Sequence, residues 1–203
     1  MRSFSVYGLI FLTGYRFHEF EEIWMLEHNS PDMQKIMVQE KSLKLPGGKT
    51  FKCAVGRAGI RLDKVEGDGA TPAGLMPLRH VFYRADRVTK PNTQLPVCAM
   101  HEADAWVDQP DHPKYNMHTR LPLPNGVSHE RMWRESPLYD VVVVLGYNDD
   151  PVVANKGSAV FMHIARDNYG GSAGCITLSL NDLLWVLKEV KLGDFLYVES
   201  ETD

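Results

Sequence analysis

The sequence predicts a mainly β domain, built as a sandwich or as mixed sheets, with one helix near its C-terminal end. Three observations carry that expectation. From Gln34 onward, short runs rich in β-branched and apolar residues alternate with Gly- and Pro-containing breaks, the punctuation of successive strands. Two uninterrupted apolar runs, "YDVVVVLG" (Tyr139 to Gly146) and "SAVFMHIA" (Ser158 to Ala165), have the composition of strands buried on both faces. Near the C-terminus, Leu180, Leu183, Leu184, Leu187 and Val190 recur at helical spacing.

Taken in order, residues 1–33 form an appendage that matches neither neighbour in pattern. Phe17, Phe20, Ile23 and Trp24 share a face at helical spacing, and "NSPD" breaks the run. The domain proper is expected over residues 34–200. "KIMVQ", "LKL" and "KTFKCAVG" give successive strands, with a turn at Pro46-Gly47-Gly48. "EGDGATPAGLMPLRHVFYR" is a glycine-rich loop that runs into a further strand. Residues 85–137 hold most of the prolines and few periodic runs, so long loops with short strands are expected, and loops of that extent carry function. Ser179 is placed to cap the helix, Gly193 to end it, and Phe195 to Val198 to form a closing strand.

Composition narrows the function. The chain has 203 residues, is 44% hydrophobic and carries a formal net charge of −4, so a real core forms. No long basic run occurs, and no nucleic acid partner is expected. Three cysteines are too few and too odd in number for a disulfide framework. The apolar run near the N-terminus falls short of the roughly 20 residues that span a bilayer. It also lacks the long apolar region and the cleavage site of a signal peptide. No integral membrane segment is expected, and a degenerate export signal or a start at Met33 would both fit.

Cys175 and His163 are the candidate chemical pair. Free cysteines are commonly small, inert core residues, and a histidine between apolar neighbours commonly packs in the core. The surroundings of Cys175 argue for more. Gly170, Gly171 and Gly174 clear bulky side chains from its approach, with Ser172 and Ala173 between them. Its place between a strand and a helix N-cap suggests outward-pointing N–H groups, which would lower a thiol pKa and hold an oxyanion. An imidazole within hydrogen-bond reach would convert the thiol to the thiolate that attacks a carbonyl.

Other constellations are weaker. His101-Glu102 and His129-Glu130 lack the second histidine of a zinc-binding helix. Asp149 and Asp150 fall in a turn between strands, Cys53 belongs to an apolar strand, and the "EGDGATPAG" glycines lack the residues of a phosphate loop. Met132-Trp133-Arg134 and Tyr115-Asn116 suit either a cleft wall or ordinary packing.

"HIARDNYGGSAGCITL" resembles the signature of the L,D-transpeptidase catalytic domain family (YkuD type): a histidine, a spacer, then Ser/Thr-His-Gly-Cys, followed two residues on by Arg or Asn. Upstream, "GDGATPAGLMPL" is similar to the family's Thr-Pro-x-Gly segment. The match covers roughly 66–84 and 139–178, and the pattern extends it to 34–200. Three positions depart from it. Ile164 follows His163 where the family has Gly, Ala173 stands for the histidine before Gly-Cys, and Thr177 stands for Arg or Asn.

The resemblance implies that Cys175 is the acylated nucleophile and His163 its base. Backbone amides of Gly174 and Cys175 become the oxyanion donors, and Ser172, Ala173 and Thr177 support them. Arg134 and Tyr147 are expected on the substrate-binding side. The implied activity is a cysteine-dependent acyl transfer on peptidoglycan stem peptides through a thioester, with no metal or organic cofactor. It also implies the cell envelope, while the leader described above leaves the cytoplasm open. Two alternatives remain at this stage: a peptidase or amidase using the same pair, and a peptide-binding module that has lost the chemistry.

Overall fold

The computed structural model describes residues 33–200, so the appendage read over 1–33 lies, apart from Met33, outside the described residues. Its centre is a nine-stranded mixed sheet. The chain enters through β1 (Lys35–Gln39), β2 (Ser42–Lys44) and β3 (Thr50–Lys52), then forms the short β4 (Ile60–Arg61), β5 (Thr71–Pro72) and the long β6 (Gly74–Tyr83). Then come β7 (Val97–Ala99), β8 (Asp104–Val107), β9 (His118–Arg120) and β10 (His129–Arg131). The last part holds β11 (Val141–Leu145), β12 (Phe161–Ile164), β13 (Ile176–Leu178), α1 (Leu180–Glu189) and β14 (Phe195–Val198). The strand order is β13-β12-β11-β6-β14-β1-β2-β3, with β7 alongside β6.

The last strand is therefore central. β14 runs antiparallel to β6 on one side and parallel to β1 on the other, and joins the two halves of the sheet. Its four residues are all buried, as the apolar run "FLYV" requires. β11 behaves alike: Val141, Val143 and Leu145 face one core, while Val142 and Val144 face a second on the opposite side. The first core is closed by α1 through Leu183, Val186 and Leu187, with Val190 just beyond the helix. The second is closed by Trp106 and Met132, from β8 and the residue after β10. Those two strands belong to a separate three-stranded sheet, β10-β8-β9.

The expected mainly β class with one helix agrees with this architecture, and α1 is the one α-helix among the described residues. Mixed sheets describe it better than a sandwich, because the second sheet is small. Two details differ. The buried face of α1 takes in Val186, and Leu184 is only partly buried. Gly193 does not end the helix. The backbone is already extended at Val190, and Gly193 forms the turn into β14. That turn is held by the buried Asp194, whose carboxylate accepts from the N–H groups of Gln34 (2.8 Å) and Lys191 (2.9 Å). No described helix is long and apolar enough to cross a membrane.

The central place of β14 makes a direct comparison of two leucines informative. Leu196 is 0% exposed and Leu192, in the preceding turn, is 62% exposed. Leu196→Ala should cost about 2–5 kcal/mol in urea unfolding, and Leu192→Ala less than about 0.5 kcal/mol. Equal losses would contradict the placement of β14.

Candidate active site

The register of β12 against β13 brings the candidate pair together. The two strands are parallel, with Met162 opposite Ile176 and His163 opposite Thr177. Side chains alternate between faces, so Met162, Ile164, Ile176 and Leu178 point into the first core. Phe161, His163, Cys175 and Thr177 share the other face. His163 and Cys175 are diagonal neighbours there, on adjacent strands with side chains to the same face. Both line a cavity of about 280 Å³, together with Ser172, Ala173, Gly174, Thr177 and Arg134.

The turn before Cys175 is held from three sides. The Ser172 hydroxyl donates to the Cys175 carbonyl at 2.6 Å and accepts the Gly174 N–H at 3.0 Å. Thr71, fully buried, donates its hydroxyl to the Gly174 carbonyl and accepts the Gly56 N–H, each at 2.8 Å. Residues 54–57 then clamp the turn through bonds between Ala54 and Thr177 and from Ser172 to Val55 and Arg57 to Ser172. Glycine is needed at Gly171, Gly174 and Gly56. Gly174 has φ +141° and a Cβ there would lie 2.8 Å from the Ala70 carbonyl oxygen; at Gly56 it would lie 2.3 Å from that of Gly69. The "ATPAG" segment thus touches the cysteine turn directly.

The pair is buried and neutral. Burial pulls the His163 imidazole down to about 4, with the charges of Arg134 and Arg166 acting in the same sense and backbone hydrogen bonding to Ile164 and Leu138 against it. Its Nδ1 lies 2.9 Å from the Ile164 carbonyl oxygen, so the proton of the neutral ring belongs on Nδ1 and Nε2 is the basic nitrogen. Burial, and after it the charge of Glu130, push the Cys175 thiol up to about 12; the Phe161 backbone, Arg134 and the Tyr139 hydroxyl pull the other way. The thiol donates to the Ala159 carbonyl at 3.3 Å. The expectation of a lowered thiol pKa therefore fails. β13 separates Cys175 from the N-terminus of α1, so no helix end acts on the sulfur.

The other expected residues fall into distinct places. Arg134 lines the cavity, stands over the Tyr139 ring with its guanidinium carbon 3.9 Å from the centroid, and pairs with Glu130. Thr177 is buried, and its hydroxyl donates to the Ala54 carbonyl at 3.4 Å. Ala173 is exposed on the turn. The Gly174 N–H is already given to Ser172, which removes it as a resting oxyanion donor. Tyr147 is not among the cavity residues: it packs on the first core and donates to the Lys156 carbonyl at 2.7 Å, drawn there by the turn at Asn148. Tyr115 and Asn116 hold the wall together, through Tyr115 to Glu66 and Asn116 to Trp106, Tyr147, Asn148 and Ala159. Asp149 pairs with Arg79 at 2.8 Å.

The polar cavity residues missed from sequence include Arg57, Lys64, Glu66, Asp108, Tyr139 and Arg166. Glu130 was noticed only as a failed zinc motif. It accepts from both the Tyr139 hydroxyl and Arg134, and burial raises its pKa first of all. The four-residue spacing of Glu130 and Arg134, two charges in a proline-rich region, was the available signal.

The family model of the L,D-transpeptidase catalytic domain (YkuD) matches residues 31–198. No curated protein matches the chain. Among solved structures, it is similar to the crystal structure of Mycobacterium tuberculosis L,D-transpeptidase 1, at 14% identity and a TM-score of 0.39. That likeness covers 83% of this chain and 60% of the other, so the chain spans well under two thirds of that protein. The family-model match runs from before β1 to the end of β14, through both strands of the pair and the turn between them, and the chain belongs to the L,D-transpeptidase catalytic domain family.

Proposed function

We propose that the protein is a cysteine-dependent acyltransferase acting on peptidoglycan stem peptides, with Cys175 as nucleophile and His163 as base. The observation that supports it most is one cavity in which the two side chains stand on one face of adjacent parallel strands, behind a turn fastened by Ser172 and Thr71. Nε2 of His163 takes the thiol proton as sulfur attacks a peptide carbonyl, and the new oxyanion is held by the Cys175 N–H. The tetrahedral adduct expels the leaving amine, which takes the proton back from the imidazolium. An acceptor amine then attacks the thioester, its proton passes to His163, and the thiol is regenerated as the new amide forms. Because both groups are neutral at rest, proton transfer accompanies attack rather than preceding it. Water in place of the amine makes the same site a hydrolase, and a protein that never acylates is a binding module.

Mass spectrometry of the intact protein, incubated with a stem tetrapeptide, tests this reading. The wild type should gain one acyl group, and product analysis with added amine should show amide rather than acid. Cys175→Ala should show neither, while Cys53→Ala and Cys98→Ala behave as the wild type. Acylation that survives Cys175→Ala would end the proposal. Simple thiol labelling is a poorer test, since Cys98 is exposed.

The pH profile of kcat/KM follows from the two neutral groups. Its acid limb should fall near the His163 value of about 4, where protonation removes the base, and no alkaline limb should arise from Cys175 before pH 9, since burial holds the thiol near 12. An acid limb near 6.5 would mean that the imidazole is solvated.

Stability carries the same signature. The unfolded chain takes up a proton on this histidine below about 6.5, and the folded chain only near 4. The contribution is therefore complete above 6.5 and is lost as pH falls through that window. Between pH 7 and pH 4.5 the loss should be roughly 2–3 kcal/mol. Urea unfolding of wild type and His163→Gln at both pH values should differ by that amount, and equal losses would contradict the buried imidazole.

A further inference from the structure

One cavity wall carries a charge that nothing in the fold answers. Asp108 follows β8, and its backbone N–H donates to the Ser128 carbonyl. Its carboxylate makes no hydrogen bond or ion pair among the described residues, and its Oδ1 is the one buried side-chain polar atom there that lacks a hydrogen-bond partner. The residue lines the same cavity as Cys175 and His163. Buried polar atoms are nearly always satisfied, so such an exception asks for a cause.

Most of the other charged cavity residues are engaged, whereas Arg57 and Arg166 line the cavity without an ion pair to Asp108 or to another carboxylate among the described residues. Lys64 is held by Asp68 at 2.7 Å, Arg134 by Glu130, and Glu66 accepts from Tyr115 at 2.5 Å and Ser158 at 2.7 Å. The charge of Asp108 reaches Glu130, whose pKa it helps to raise. A metal ion is a poor occupant, because no group of three or more His, Cys, Asp or Glu among the described residues could hold one. A guanidinium forks onto both oxygens of one carboxylate, whereas only Oδ1 of Asp108 is buried and without a partner. A primary ammonium has compact charge and three donors, and it sits on a slender aliphatic stem.

We propose that Asp108 is the binding site for a primary ammonium group of the peptide substrate, beside the bond that Cys175 attacks. This rests on the peptide reading of the cavity, but not on the chemistry at sulfur. The ammonium would belong either to the peptide that acylates the cysteine or to the amine that accepts the acyl group.

Two arms separate those sources. In the first, Cys175→Ala protein is titrated calorimetrically with a stem tetrapeptide bearing a free side-chain amine, and with the same peptide acetylated at that amine, the α-amino group being blocked in both. The free amine should bind at least about tenfold more tightly, and Asp108→Asn in the same background should bring the two within about twofold. In the second, wild type and Asp108→Asn are loaded as thioesters with the acetylated peptide, and the decay rate is followed against a primary amine acceptor. A loss of preference in the first arm assigns the ammonium to the donor, and a loss of at least about tenfold in amine-dependent decay alone assigns it to the acceptor. Unchanged behaviour in both overturns the proposal, as does an unchanged first arm if no thioester forms. Absence of a thioester on the wild type ends the acyltransferase reading by itself, while the first arm still decides Asp108. Because the carboxylate gives the fold no hydrogen bond, Asp108→Asn and Asp108→Ala should melt at or above the wild-type Tm. A marked fall in both would show a structural role instead and would also overturn the proposal.

Discussion

The parallel pairing of Phe161–Ile164 with Ile176–Leu178 is the constraint on which the site depends. Side chains alternate with a period of two, so a slip of one residue would send Cys175 into the core under the helix and bring Ile176 to the cavity. Parallel strands also cannot be joined by a tight hairpin, and the chain must cross back between them. The crossing is what delivers "GGSAGC" to the end of β13 with its backbone exposed to clamping. The clamp is supplied from far away in sequence, by residues 54–57 and by Thr71. The close approach of Gly56 and Gly174 to neighbouring carbonyls is therefore a packing requirement of the site.

The pairing also fixes the electrostatics. It places both groups on a face that Phe161, Trp106 and Met132 keep dry, and burial of that kind favours the neutral forms. Cys53 makes the point by comparison. Burial alone pushes its thiol up to about 12, the same value as Cys175, although it lies just after β3 with no basic partner shifting it. A raised thiol pKa thus does not by itself distinguish Cys175 from a core cysteine. The difference lies in what surrounds the sulfur: a cavity, an imidazole on the same sheet face, and the opposed charges of Glu130 and Arg134.

The strands were legible because their pattern is local. "VVVVL" and "FLYV" declare burial on both faces whatever their neighbours, and Ser179 caps α1 through the Asp182 N–H at 3.1 Å. The cysteine and histidine were legible for a similar reason, lying in one short motif. Long-range information was not. That β14 divides β6 from β1 follows from pairings more than a hundred residues apart, and alternation within a strand says nothing of its neighbour. Tyr147 falls outside the cavity lining, and a Tyr just after a strand carries no signal for which way its turn bends. Tyr139 was overlooked because, at the head of an apolar run, it resembled one more core residue, which in part it is.

The division of labour inside the fold explains why the charges were the hardest part to foresee. The large sheet carries the candidate pair, whereas part of the charged lining arrives on the small sheet and the residues flanking it: Asp108 after β8, Glu130 on β10 and Arg134 just beyond. That arrangement lets substrate contacts vary without disturbing the register at Cys175. It also bears on the two departures from the family pattern nearest the cysteine. Thr177 gives its hydroxyl to Ala54, and Ala173, which lines the cavity, has no polar side-chain group, so neither side chain offers a charge to a ligand. Arg134, by contrast, reaches the cavity already tethered to Glu130 and stacked on Tyr139, and Arg57, Lys64 and Arg166 line the same cavity. A guanidinium held on both sides keeps its direction when a ligand arrives, and little of its conformational entropy remains to be lost.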